Sequence, residues 1–440
     1  LSLNYNTYII LTDGCVKGSG LNDSGQLGLG DNTNRNILTI IPNLFDVKLV
    51  VGTWVSTYFL LTDGTVKCCG RNTNGQLGLG DNINRNVPTL IPGLSNVRNI
   101  FTGGNFVVFL LTDGTVKVCG ENNYGQLGLG DKVDRLTPTT VPSLSNIKGV
   151  SCGYYHTIYI INDGTLKTCG YNGVGQLGLN DTIDRSSVVS IPGLTNVKQV
   201  GCGIHHSIFL FNDGTVKGTG LNDSGQLGCG DAVGRIVPTN VGGIINVKQI
   251  SCGQRFTIFL LIDGTVKVCG INTNYELGLN DTDNRLTPTV VTGLINVKNI
   301  AAGYYHTMYI LNDLSIKVCG RNQVGQLGLG DNVNRTIPTN IPDLSYTHTL
   351  VDNFATKFIK YILYKNGLYY TVNSNTYSES TGQYVPLDSI IPLQDLMKQY
   401  HFMNLVLMSN NITVGSETFK PINKFNIDKF KILRQVTNIV

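Results

Sequence analysis

Charge is scarce in this 440-residue chain: Asp, Glu, Lys and Arg make up 14% of it, and the balance is only +4. So small an excess gives no electrostatic case for nucleic acid as a main partner. With 41% hydrophobic residues the chain is nevertheless globular and not disordered. Tryptophan occurs once, as Trp54. No apolar run approaches the roughly 18 residues of a membrane span, and no segment resembles a signal peptide. The 3.6-residue periodicity of leucine-rich or helical repeats is absent. Neither a Gly-x-Ser-x-Gly elbow nor His-Glu-x-x-His occurs, and no nucleophile, base and orienting residue can be assembled, so the reading is a protein without catalysis or cofactor. The eleven cysteines lack the paired spacing of a zinc site, and no metal is expected. They follow a repeat and read as small buried hydrophobes; free thiols in this number favour a reducing compartment, the cytoplasm, or a virion.

What is present is a repeat. GQLGLGD occupies residues 25–31 and returns unchanged at 75, 125 and 325, with variants at 175 (GQLGLND), 225 (GQLGCGD) and 275 (YELGLND). Within the fourth unit, residues 147–151 read as a short apolar strand and His156 to Ile161 as a second. Asn162-Asp163-Gly164 is a hairpin turn, Thr165 to Cys169 a third strand, and Arg185 to Ile191 a fourth before Pro192-Gly193. Four antiparallel strands per 50 residues, seven times over, predict an all-β, seven-bladed β-propeller, with a stacked solenoid as the alternative.

The chain opens with Leu1 inside a repeat, which is read as a processed or truncated product. The first unit begins at its second strand, so residues 346–352 are expected to supply its innermost strand and close a domain spanning residues 1–352. Only three of the 52 glycines lie beyond residue 345, which marks the boundary of a different, small α+β segment. In this extension, residues 353–440, a further hairpin within TKFIKYILYKNGLYYTV leaves an extra half-blade open. A helix is expected at Leu393 to Met403, with short strands after it. Its mildly basic end, with Lys420, Lys424, Lys429, Lys431 and Arg434, suits tethering to a larger assembly.

The glycines of GQLGLGD permit backbone bends while Leu27 and Leu29 plug between blades. Asp31 and Arg35 recur in every unit, as Asp81 and Arg85 and onward to Asp331 and Arg335. They read as structural pairs, each Asp capping a loop and each Arg bridging neighbouring strands or blades. Calcium at Asp281 to Asn284 is set aside because Asp231-Ala232-Val233-Gly234 lacks ligands. His156, His206 and His306 share one position and read as packing residues.

The unit GxxHTxxLxxDGxVxxCGxNxxGQLGLGD resembles the repeat of the regulator of chromosome condensation family over residues 1 to about 350. The resemblance implies a seven-bladed propeller. It also implies, as an alternative function, guanine-nucleotide exchange or chromatin-type regulation. The family's exchange factor uses a hairpin wedge and a basic N-terminal tail, and this chain keeps its 50-residue spacing and shows neither. A similar plant photoreceptor relies on clustered tryptophans. The pattern also resembles propellers encoded by bacteria and phages, and the abundance of Asn, Ile, Lys and Tyr beside scarce Ala fits an AT-rich coding sequence.

Topology puts the loops between strands one and two, and between three and four, on the same face. There the copies diverge. The candidate partner-binding residues are Tyr5, Trp54, Asn105, Tyr154, Tyr155, His205, Arg255, Tyr304 and Tyr305 in the first loops, with Arg71, Glu121, Tyr171 and Arg321 in the second. Aromatics and arginine are the usual anchors of interfaces. The expected partner is a protein or a surface glycan, in one version bound by a phage or bacterial receptor-binding component. The opposite face repeats Lys48, Arg98, Lys148, Lys198, Lys248 and Lys298, which read as solvated charge offset by turn aspartates such as Asp13.

Overall fold

The computed structural model describes residues 2–3, 5–11, 14–142 and 144–341, and five strands between residues 361 and 421. The chain divides into two compact units, Leu1–Leu344 and Ser345–Val440.

The first unit contains seven four-stranded antiparallel sheets, each with its strands in sequence order. In the fourth blade they are Ile147–Cys152, His156–Ile161, Leu166–Gly170 and Arg185–Ile191, within a residue of the sequence reading. The Asp-Gly turn forms as its chemistry requires. Gly164 takes φ +81°, donates to the Ile161 carbonyl, and is flanked by Asp163, whose carboxylate accepts the Thr165 amide. The second strand is buried along all but its last residue because its blade is sandwiched between two others and covers both faces. The outermost strand has no buried residue before Ile191. The core is therefore a series of seams. In one of them, Tyr58, Leu60 and Leu77 of the second blade meet Val97, Ile100 and Phe109 of the third.

The ring is closed. The Gly30 amide donates to the Asn86 carbonyl of the next blade at 2.8 Å, and the same bond recurs at each seam until Gly330 donates to Asn36 at 2.8 Å. Leu329 and Ile37 form a β-bridge across that last seam. A solenoid would leave its two end repeats unpaired, so the stacked alternative is excluded. In the first blade a two-residue strand, Ser2–Leu3, pairs with Asn6–Ile10 at the innermost position, where the sequence suggested no strand. Residues 346–352 lie outside the described residues.

The innermost strands of the other six blades share an irregularity. Val47 pairs with Leu61 and Leu49 with Leu60, so Lys48 is a bulge residue without a partner, and the register shifts at the same place in every one. In the second unit the expected hairpin forms, Tyr361–Lys365 with Leu368–Val372. It belongs to a five-stranded sheet completed by Ile390–Pro392, Ile412–Val414 and Glu417–Pro421. The expected helix at 393–403 lies outside the described residues.

Candidate functional site

Blades two to seven turn from the innermost to the second strand in a tight loop, closed in the fourth by the Gly153 amide donating to the His156 carbonyl. Glycine is required there because the His156 ring lies over it: a Cβ on Gly153 would stand 2.0 Å from the ring. Two residues follow at the loop tip, and the backbone sends them in different directions. The first points to the propeller axis. Its amide bonds the equivalent carbonyl of the next blade, so a belt runs from Gly104 through Tyr154, Ile204 and Gln254 to Tyr304. The second points outward over the loops that join third and fourth strands.

Ring closure brings the axial residues together. Trp54 meets Tyr154 edge-on at 4.9 Å between centroids and Tyr304 at 4.6 Å, so rings from the second, fourth and seventh blades touch across the channel mouth. Gln254 Nε2 donates to the Tyr304 hydroxyl at 2.9 Å. Centroids this close leave no room for a cation between the rings, which rules out an aromatic cage. Beneath them the channel holds a cavity of about 190 Å³, lined among others by Thr102, Cys152, Cys202 and Cys252.

From this plug an aromatic arc extends over the face. Tyr304 touches Tyr305 and Tyr5, and the Arg321 guanidinium lies 5.2 Å from the Tyr305 ring centre and 5.9 Å from that of Tyr5. In the other direction Tyr154 touches Tyr155, which reaches Tyr171 and His205 by way of Tyr124. Burial raises the Tyr304 and Tyr155 phenols far above their ordinary value and pushes Tyr5 up to about 12, so these three phenols stay protonated at neutral pH. Tyr124 is the link that sequence reasoning missed. Its signal was the divergence of its own position, Ser24, Asn74, Tyr124, Val174, Ser224, Asn274 and Val324 in the seven units.

Four candidates stand apart from the ring contacts. Arg71 is exposed, with its Nε donating to Thr73. Glu121 is buried, and its carboxylate accepts from Asn105 at 3.1 Å and Asn123 at 2.8 Å, which occupies both Asn105 and itself. Arg255 is ion-paired with Asp223 across a seam.

The remaining motifs are structural in geometry. Arg85 Nη2 bonds Asp81 at 2.6 Å and its Nη1 the Ile83 carbonyl at 2.5 Å, so the pair locks its own loop and does not reach another blade. The same holds at Asp31–Arg35 and Asp331–Arg335. His156, His206 and His306 are fully buried and meet Ser207, Thr257 and Thr7 of the next blade. The thiols of Cys69, Cys119, Cys169, Cys269 and Cys319 face the carbonyl of residue 26, or its equivalent, in the preceding blade at 3.3–3.7 Å.

Comparison with known proteins matches this arrangement. The family model of the regulator of chromosome condensation (RCC1) repeat matches residues 63–110, 113–160, 163–210, 213–260, 263–310 and 318–352, more than half of the chain. Among solved structures, yeast RCC1 (Prp20) bound to Kap60 is 21% identical, covering 78% of this chain and 86% of that one, with a TM-score of 0.68. Prp20p from Saccharomyces cerevisiae, described with its binding to Gsp1p and histones, is 24% identical at coverages of 79% and 88% and a TM-score of 0.67. Human WBSCR16 is 22% identical, at 74% and 94%, with a TM-score of 0.64. A search of the curated proteins returned no match.

Proposed function

The chain belongs to the regulator of chromosome condensation (RCC1) repeat family, a family of propeller interaction scaffolds, and on that premise we propose that it is a non-enzymatic binding module working through its aromatic face. One observation carries this reading. The residues at which the seven units diverge form a connected arc of tyrosine, tryptophan and arginine, whereas the opposite turns are near-identical. Half-buried aromatics held by their neighbours lose little conformational freedom on binding, which is why such residues dominate interfaces. The partner is a protein or a surface glycan, and a phage or bacterial receptor-binding role is one form of this. The mildly basic end of residues 353–440 suits attachment to a larger assembly.

The test compares capture by the intact chain with capture by the double variant Tyr155→Ala/Tyr305→Ala, whose fold is checked by its melting curve. These two rings are half-buried, so their loss leaves the plug in place. A partner held by the intact chain should bind the variant at least about 30-fold more weakly. Equal capture by both would remove the aromatic face from the function. Guanine-nucleotide exchange is the alternative; it rests on family likeness, and the even spacing of the units leaves no inserted wedge. Accelerated release of labelled GDP from a small GTPase is its readout.

A further inference from the structure

Lys48, Arg98, Lys148, Lys198, Lys248 and Lys298 stand at the other end of the innermost strands, and all six are exposed. Each is the bulge residue of its strand. A bulge takes a residue out of the pairing ladder and re-aims its side chain, and bulges recur beside binding sites. Here they send the cations around the rim. Arg98 Nη2 donates to the Ile147 and Lys148 carbonyls at 3.1 and 3.4 Å, and Lys198 Nζ to the Lys248 carbonyl at 3.0 Å. Both contacts fall on the innermost strand of the next blade, so neighbouring cations are one side-chain length apart around the mouth of the axial channel.

The described turn aspartates are tied into their own turns and pair with none of the ring cations. Asp63, Asp163, Asp213 and Asp263 accept the amide and hydroxyl of the threonine two residues on. Asp113 and Asp313 stand beside Lys117 and Lys317 of the third strands. Among the described residues, none of the six ring cations makes an ion pair, and no innermost strand carries an acid. Like charges gathered round one end of the propeller repel, and none of the six is paired off by an acid of its own.

We propose that this mouth is a binding site for a compact polyanion carrying several clustered phosphates, held by lysine and arginine from successive blades. The inference is independent of the aromatic face. A monoanion meets one or two neighbouring cations, whereas a ligand with phosphates on several sides meets most of the ring at once. Lysine serves as a point charge for phosphate, and the single arginine adds a forked donor.

Calorimetry on the full chain tests it, with inositol hexakisphosphate as the probe and inorganic phosphate as the single-group comparison. Vesicles of phosphatidylcholine, with and without a phosphatidylinositol bisphosphate, separate a lipid headgroup from a free polyphosphate. The expected result is one-to-one binding of the hexakisphosphate that weakens steeply with salt, and much weaker binding of phosphate. The triple variant Lys198→Gln/Lys248→Gln/Lys298→Gln should weaken binding about 100-fold. The triple variant Lys17→Gln/Lys67→Gln/Lys117→Gln removes the same charge from the third strands and should change it by less than about 3-fold. Capture on the bisphosphate vesicles alone, lost with the ring triple, would assign the phosphates to a headgroup and supports the site. No binding of either probe, or equal loss in both triples, would overturn it. The ring lysines are exposed and the control lysines half-buried, and matching melting curves establish that the fold survives.

Discussion

Six of the seven turns between second and third strands place glycine where the backbone goes left-handed, and the seventh places Leu314 there, at φ +69°. A side chain in that conformation costs about 1 kcal/mol relative to glycine. Leu314 recovers little by packing, since it is 65% exposed. Leu314→Gly should therefore stabilise the propeller by about 1 kcal/mol, read as a shift in the urea midpoint at unchanged slope. Tyr275, at φ +65° in the sixth GQLGLGD copy, is the contrasting case. Its ring is half-buried, so Tyr275→Gly exchanges relief of strain for lost contacts and should give a smaller gain. Both departures were visible as broken copies of a repeat. That the turn glycine is needed for its φ followed from the Asp-Gly pair; that Gly153 is needed for the ring lying over it required the coordinates.

At the scale of the element, the GQLGLGD loop is a closed hydrogen-bond system, and its centre is an asparagine. Asn72 is fully buried; its Oδ1 accepts the Leu77 amide at 2.8 Å while its Nδ2 donates to the Asp81 carbonyl and carboxylate. An asparagine fills this position in all seven units, yet the conspicuous Asp and Arg drew the sequence reading instead. The energies differ. Asn72→Ala leaves a buried amide without an acceptor and should cost about 2–3 kcal/mol. Asp81→Asn loosens an ion pair whose carboxylate side chain is 33% exposed, and should cost no more than about 1 kcal/mol. Parallel denaturation of the two variants checks the order, which a reversal would refute. Strand limits were legible to within a residue because Asp-Gly turns and apolar runs are local signals. The repeated bulge was not, because a ladder slip appears only against the partner strand.

For the whole molecule, the seams set the response to acid. Burial lowers His156 and His206 to about 3, so the folded state resists protons that the unfolded chain takes up near 6.5. A depressed histidine makes its full contribution above the unfolded value and loses it as pH falls. Stability should thus be level above about pH 7 and decline from about 6.5 toward 3, by up to about 1.4 kcal/mol per pH unit for each histidine. Phenylalanine already fills this position as Phe106 and Phe256, so His156→Phe/His206→Phe should fold and flatten the decline between pH 6.5 and 5 in urea titrations. The seven-bladed ring was legible because the period and four-strand unit admit few architectures. The contacts across its axis were not: Trp54, Tyr154 and Tyr304 are separated by 100 and 150 residues in sequence, and only closure makes them neighbours.

Those three rings have a consequence for traffic along the axis. Their mutual contact closes over the cavity beneath them. A solute reaching that cavity from the aromatic face must first displace one of these rings, so their packing is the gate on that side.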